Sequence, residues 1–269
     1  AEYRNLNRLK QFFPDTCIAA FTATATKKVE ADIANNLNLV NAKHFRAKTQ
    51  RDNLDIKVEP RIANGKSQIL NFLKSHKGLC GIIYTFTRKE AESTAQFLVN
   101  NGYKSKAYHA GLSAERKDEV FNDFVYENID IVVATIAFGM GIDKSNIRFV
   151  IHTSLPKTLE NYYQEIGRAG RDGDMSYVYL LYSKADEVKR KIQIEEAIDD
   201  GYKSTSVEKL EFMYRYCVSN NCRHKIIASY FEDEIDECNT LCDNCTKGEI
   251  AQVDVSVEAQ YHHQYLTHL

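Results

Sequence analysis

The chain has 269 residues, 43% of them hydrophobic and 27% charged, with 12 Gly, 3 Pro, 7 Cys and no Trp. This composition excludes a collagen-like, low-complexity or disordered chain, and at roughly 150 residues per domain it provides for about two domains with their own cores. The net charge of −2, taken as a whole-chain average, argues against a nucleic-acid partner.

No apolar run approaches the roughly 18 residues of a membrane helix, no secretion leader is evident, and the first residue is Ala1. These features predict a piece of a soluble intracellular protein with no membrane partner. Residues 1–45 read as the end of a larger unit. There the apolar run Ile18–Phe21 closes on Thr22-Ala-Thr-Ala-Thr26, and a helical pattern follows through Val29, Ile33 and Leu37. Residues 46–62 alternate polar and apolar positions at Leu54, Ile56 and Val58, as in a strand entered through a linker.

From about 66 to 185 strands and helices alternate. Buried strands are expected at Leu79–Thr85, Lys104–Tyr108, Ile129–Ala134, Arg148–His152 and Tyr177–Tyr182. Between them, Thr87 with Glu90 forms a capping box for a helix over Arg88–Asn101, and Ser113 caps the next helix. A further helix is expected over Leu159–Ile166. The alternation predicts an α/β fold with a parallel sheet covered by helices on both faces. After Lys184 only helices are expected, over Asp186–Asp199, Ser206–Cys217 and Arg223–Phe231, before the acidic run Glu232–Glu237.

Gly65-Lys66-Ser67 imitates the end of a phosphate loop, G-x-x-x-x-G-K-[ST]. The first glycine of that pattern falls on Pro60, which has no N–H and a fixed φ, so a turn before an amphipathic helix is the better reading. Nor does a carboxylate pair follow a buried strand to hold Mg²⁺.

The chemistry lies further on. Ala134–Asp143 leaves a buried strand at its carboxyl end, where open α/β sheets bind ligands. Gly139 and Gly141 permit close backbone approach there, and Asp143 is within reach of a sugar hydroxyl. Some twenty residues later, Gln164-Glu-Ile-Gly-Arg-Ala-Gly-Arg-Asp-Gly173 sets Arg168 and Arg171 three apart among glycines that leave them room to reach outward. Fixed cationic donors of this kind suit a developing charge on a γ-phosphoryl group.

The cysteines are divided. Cys17 and Cys80 lie alone in apolar surroundings and read as buried thiols. Cys217, Cys222, Cys238, Cys242 and Cys245 fall close together, an odd count that favours metal over disulfides. Cys242-Asp-Asn-Cys245 is a C-x₂-C knuckle with Cys238 four residues before it, and a fourth thiolate would close a structural tetrahedral Zn²⁺ site. Cys217 and Cys222 compete for that fourth place, and His224 reads as facing solvent or DNA.

The run Phe149–Gly173 closely resembles helicase motif VI of RecQ-family DNA helicases. Thr22–Thr26 is similar to motif III, Tyr84–Arg88 to motif IV, Tyr108–Leu112 to the following DNA-facing segment, and Ala134–Asp143 to motif V. The cysteine cluster resembles the family's zinc subdomain. The resemblance implies the end of a first RecA-like lobe in residues 1–45 and a second lobe in 46–185, a RecA-like parallel sheet sandwiched by helices. A mainly helical zinc subdomain would follow in 186–248, and a truncated winged-helix-type module would begin in 249–269.

The resemblance further implies an ATP-dependent helicase moving 3′-to-5′ on single-stranded DNA and opening forked duplexes in repair and recombination. ATP with Mg²⁺ would lie between the lobes, with one structural Zn²⁺, in a nucleus or, in a bacterium, the cytoplasm or nucleoid. Arg168, Arg171 and Gln164 would serve catalysis, and Gly139, Gly141 and Asp143 would help bind the nucleotide. Thr87, Arg88, His109, Gly111 and Thr135 would lie along DNA, Thr24 and Thr26 would couple the lobes, and the family pattern favours Cys222 as fourth zinc ligand.

The family's phosphate loop and Asp-Glu-Ala-His box precede motif III and are absent from these residues, so this chain alone is expected neither to hydrolyse ATP nor to unwind DNA. Other readings are an RNA helicase, a duplex translocase, or a zinc-stabilised binding fragment without catalysis. The near-neutral charge is reconciled with DNA if Lys66, Arg88, Lys89, Lys104, Lys106, Lys144 and Lys157 line one groove and the acidic runs lie elsewhere.

Overall fold

The structure is a computed structural model that describes residues 2–22, 25–136, 138, 143–197 and 200–247. A 3₁₀ helix, Glu2–Arg8, runs into α1 (Leu9–Phe12), and α2 (Lys27–Asn36) follows. The α/β part contains β1 (Leu54–Pro60), α3 (Lys66–Ser75), β2 (Gly81–Tyr84), α4 (Arg88–Asn100), β3 (Ser105–Tyr108), α5 (Ala114–Val125), β4 (Ile131–Ala134), β5 (Phe149–His152), α6 (Leu159–Ile166) and β6 (Ser176–Tyr182). The helical part contains α7 (Lys184–Ala197), α8 (Asp200–Val218), α9 (Arg223–Tyr230) and α10 (Asp243–Thr246).

All pairings in the six-stranded sheet are parallel, in the order β1-β6-β5-β2-β4-β3. Successive side chains on a strand point to opposite faces, so a doubly covered sheet has two cores. Ile83, Val133, Ile151 and Leu181 pack with Ile69 and Leu73 of α3 and with Ala91, Ala95 and Leu98 of α4. Ile82, Val132, Val150 and Leu180 belong to the other core, with Val120 and Phe124 of α5, Tyr162 and Ile166 of α6, and Leu210, Met213 and Tyr216 of α8. The helical part therefore shares the hydrophobic core of one sheet face.

Local signals place the helices. Thr87 Oγ1 accepts from the Glu90 N–H at 3.1 Å while the Glu90 carboxylate accepts from the Thr87 N–H, also at 3.1 Å, completing the expected capping box. Ser113, Thr158 and Thr26 cap α5, α6 and α2 in the same sense. Gly65-Lys66-Ser67 is a turn into α3. Lys66 Nζ donates to the Ser93 carbonyl at 3.1 Å and lies over the Phe97 ring, spending its charge within the fold.

The amino-terminal part departs from one expectation. Cys17 is exposed, not a buried thiol. Its segment packs on little of this chain, and Phe12, Phe21 and Phe45 are exposed as well. No described helix is long and apolar enough to cross a membrane. Thr24, Gly139, Gly141 and residues 249–269 lie outside the described residues.

Candidate functional site

Parallel strands bring their carboxyl ends to one edge of the sheet. There the order β5-β2-β4-β3 sets Thr153, Thr85, Thr135 and His109 side by side. Thr153 N donates to the Tyr84 carbonyl at 2.9 Å, Thr85 N to the Ala134 carbonyl at 2.8 Å, and Thr135 N to the Tyr108 carbonyl at 3.2 Å. Thr87 and Arg88 are exposed at the start of α4, just beyond β2. A Cβ on Gly111 would lie 3.0 Å from Arg88 Nη1 and 3.2 Å from His109 Nδ1, so Gly111, Arg88 and His109 form one packed group. His109 is 4% exposed and its Nε2 bonds to Glu92 Oε1 at 3.0 Å, so the ring is held by a local carboxylate. Five sequence-distant candidates are thus drawn to one edge.

The arginine block follows α6 directly. Gln164 is exposed on the last turn of the helix and Gly167 is its C-cap. Arg168 is half-buried, and its Nε has no hydrogen-bond partner among the described residues. Arg171 Nη1 meets Asp143 Oδ1 at 2.8 Å. With 91% of the Asp143 side chain exposed, that pair is worth no more than about 1 kcal/mol and is readily exchanged for a ligand anion.

Gly170 has a different reason to be glycine than the room the sequence suggests. Its φ is +61°, and a Cβ there would lie 2.5 Å from Asn53 Nδ2 and 2.8 Å from Ser176 Oγ. Arg51 Nη2 and Asn53 Nδ2 both donate to the Gly170 carbonyl, at 2.6 and 2.8 Å, and Gly170 N donates to the Ile147 carbonyl at 2.8 Å. The loop carrying both arginines is therefore strapped to the lead into β1.

The thiol cluster lies at the other end of the chain. The sulfurs of Cys222, Cys238, Cys242 and Cys245 all lie within 4.8 Å of one another, and Cys217, though buried, is not among them. Four sulfurs about 2.3 Å from a shared Zn²⁺ would stand about 3.8 Å apart, so this donor set fits zinc with small adjustment. Backbone amides are aimed at the cluster, with Cys238 N on Cys222 Sγ at 3.4 Å and Arg223 N on Cys242 Sγ at 3.5 Å. Burial pushes the Cys222 thiol up, but the donors around it outweigh burial and hold it below the ordinary thiol range. Burial and neighbouring thiols push Cys245 up to about 12.

Sequence reasoning missed the clamp around these thiols. Arg223 and Asp243, each with a 3% exposed side chain, pair at 2.9 Å (Nε to Oδ1) and 3.3 Å (Nη2 to Oδ2), and Arg223 also donates to the Tyr216 carbonyl and to Asn244. The available signal was a charged residue directly after two of the cysteines, Arg223 after Cys222 and Asp243 after Cys242. Arg223→Ala leaves the Asp243 carboxylate buried without its main partner, and should cost about 3–5 kcal/mol of stability in urea unfolding of the zinc-loaded protein. A loss below about 1 kcal/mol would show the pair to be dispensable.

His224 corrects an expectation. It is 4% exposed, with Nε2 3.0 Å from the Leu54 carbonyl and 3.1 Å from the Leu241 carbonyl, so it faces neither solvent nor DNA. Burial holds its pKa below the ordinary imidazole value. With Ile56 N donating to the Leu241 carbonyl at 3.0 Å, it joins the thiol cluster to edge strand β1.

The proposed basic groove is smaller than expected. Lys144 is buried, with Nζ 2.9 Å from Glu127 and over the Phe124 ring. Lys106 is taken by Glu119 and Asp123, whose hydrogen bonds raise its pKa. Lys104 precedes β3, at the opposite edge of the sheet from the threonine row. Arg88, Lys89 and Lys157 remain exposed on the candidate side. The acidic run serves the fold, since Glu232 accepts from Lys27 N and Asp233 from Thr49 N, at 2.7 and 2.8 Å.

Residues 64–173 match the family described as "Helicase conserved C-terminal domain", and residues 184–246 match "RecQ zinc-binding". The chain is 39% identical to the ATP-dependent DNA helicase RecQ of Bacillus subtilis, covering 96% of this chain and 44% of that protein. It is 40% identical to a putative ATP-dependent RNA helicase of Acanthamoeba polyphaga mimivirus, covering 90% of this chain and 44% of the relative. The chain thus spans less than half the length of these curated relatives. Its fold is similar to that of S. cerevisiae Dbp5 solved with RNA and ADP BeF3, with a TM-score of 0.55 and 21% identity over 76% of this chain and 57% of that one.

Proposed function

The chain belongs to the RecQ family of helicases, and from that premise we propose that it is the second RecA-like lobe and zinc subdomain of an ATP-dependent DNA helicase that translocates 3′-to-5′ on single-stranded DNA and opens forked duplexes. The observation that carries this reading is the placement of two sets of residues on one parallel sheet, the first at its carboxyl edge and the second in the loop after α6, which is strapped to the amino ends of β1, β5 and β6. Arg88, His109, Gly111 and Thr135, with Thr87 beside them, would track DNA. Arg168, Arg171 and Gln164, following β5, would meet nucleotide.

In that division residues 1–45 end the first lobe, 46–185 form the second, 186–248 the zinc subdomain, and 249–269 begin a further module. ATP with Mg²⁺ would lie between the lobes, and hydrolysis supplies the free energy of each step. The residues of this chain orient and neutralise. Arg168 offers a partly desolvated guanidinium, which strengthens its attraction for a developing phosphoryl charge. Arg171 would leave Asp143 for the phosphate, which frees the Asp143 carboxylate for the ribose, and Gly139 and Gly141 would help bind the nucleotide. Cys222, Cys238, Cys242 and Cys245 hold one structural Zn²⁺, with no open position for catalysis. A nuclear site in a eukaryote, or a nucleoid one in a bacterium, accords with this role.

With neither a phosphate loop nor an Asp-Glu-Ala-His box in its 269 residues, the chain alone should show no DNA-stimulated ATP hydrolysis. The longer protein that contains it should hydrolyse ATP when single-stranded DNA is added. Turnover by the isolated chain would overturn the division of the site between two lobes. The mimivirus relative's name supports a second reading, an RNA helicase. Stronger stimulation by single-stranded RNA than by DNA of the same sequence would favour it.

A further inference from the structure

Between the two residue sets lies a buried group that neither set accounts for. Tyr84 ends β2 and is 5% exposed. Its hydroxyl donates to the Phe138 carbonyl at 2.9 Å, in the segment that leaves β4 for Asp143. Its ring stacks on His152, with centroids 5.1 Å apart and planes at 24°. His152 Nε2 in turn meets Glu165 Oε2 at 2.7 Å, three residues before Arg168. The Phe138 ring packs against Tyr108, just ahead of His109, at 4.5 Å.

We propose that Tyr84 is a positioning residue for Arg168, its hydroxyl joining the β4–Asp143 segment and the arginine block to the strand that leads into the DNA-facing Thr87 and Arg88. A phenylalanine would fill the same core space, so packing alone does not call for the hydroxyl. Burial pushes the phenol pKa up despite the opposing charge of Arg168, so the hydroxyl remains a donor at working pH. The Arg168 charge acts on that oxygen, and Arg168 Nε has no hydrogen-bond partner among the described residues. Through the His152–Glu165 contact the Tyr84 ring is tied to the last turn of α6, three residues before Arg168. A shift of DNA at Thr87 and Arg88 would reach Arg168 through β2 and this one oxygen.

This inference rests on the reading of Arg168 as the residue that meets the γ-phosphate. It is tested with Tyr84→Phe, Arg168→Ala and the double variant in the longer protein, measuring ATP turnover at saturating single-stranded DNA. Tyr84→Phe should lower kcat about tenfold, as loss of one aligned hydrogen bond implies, with KM for ATP, DNA affinity and Tm little changed. The double variant should be no slower than Arg168→Ala, because a residue acting through Arg168 has nothing further to lose. Loss of turnover in Arg168→Ala with none in Tyr84→Phe would overturn the positioning role and leave the arginine reading standing. So would additive losses in the double variant, or a fall in Tm that accounts for the effect. Unchanged turnover in Arg168→Ala would overturn both readings together.

Discussion

Replacing Arg168 with Ala in the longer protein is expected to lower DNA-stimulated ATP turnover by about 10³-fold or more while ATP affinity changes only a few-fold, the signature of a donor that acts in the transition state. The local geometry supports an effect of that size. The guanidinium is half-buried, its Nε lacks a partner among the described residues, and its loop is fixed by Arg51, Asn53 and the left-handed Gly170. A preorganised, partly desolvated cation stabilises developing charge at little cost in reorganisation. Arg171 is held by an exposed carboxylate instead, so its replacement should cost less than that of Arg168. Equal losses for the two, or undiminished turnover in Arg168→Ala, would be incompatible with this assignment.

Removing zinc is expected to have the other large effect. Structural Zn²⁺ sites contribute about 10–16 kcal/mol of binding free energy in peptide hosts, and deleting a ligand forfeits a large part of it. The zinc-loaded protein should contain about one Zn per chain, as one tetrahedral site requires. Cys245→Ser should release the metal and lower the melting temperature, and Cys222→Ser should do the same. Cys217→Ser should keep its zinc, because Cys217 is a core thiol outside the four-sulfur group. The reverse pattern, metal lost from Cys217→Ser and kept in Cys222→Ser, would put the fourth ligand at Cys217. The consequences should reach the sheet, since His224 and the Leu241 carbonyl bond directly to β1.

What could be read from the residues alone was what local chemistry writes down. Thr87 with Glu90, and Ser113 before its helix, announce themselves because a cap and its partner are three residues apart. The strands from Gly81 to Tyr182 are short apolar runs bounded by turns, so their order along the chain was plain. Cys238, Cys242 and Cys245 are close enough in sequence to share a metal by inspection. Pairings that depend on the folded chain left no such mark. Lys144 and Lys106 read as free charges in the sequence, whereas the fold pairs them with Glu127, Glu119 and Asp123. His224 reads as a surface residue because its partner, the Leu54 carbonyl, lies on a strand far away in sequence. The choice between Cys217 and Cys222 turned on which way a helix-flanking thiol points, which spacing cannot give.

Acidic residues Glu232 and Asp233 cap backbone amides, and several lysines are paired within the fold. A whole-chain sum therefore says little about the edge where Arg88 and Lys157 remain exposed.

The most direct test of the account is strand separation by the longer protein on a forked duplex bearing a single-stranded 3′ tail. ATP-dependent displacement of the complementary strand is expected, abolished by Arg168→Ala and absent when only a 5′ tail is offered. Displacement that survives Arg168→Ala, or that requires the 5′ tail, would contradict it.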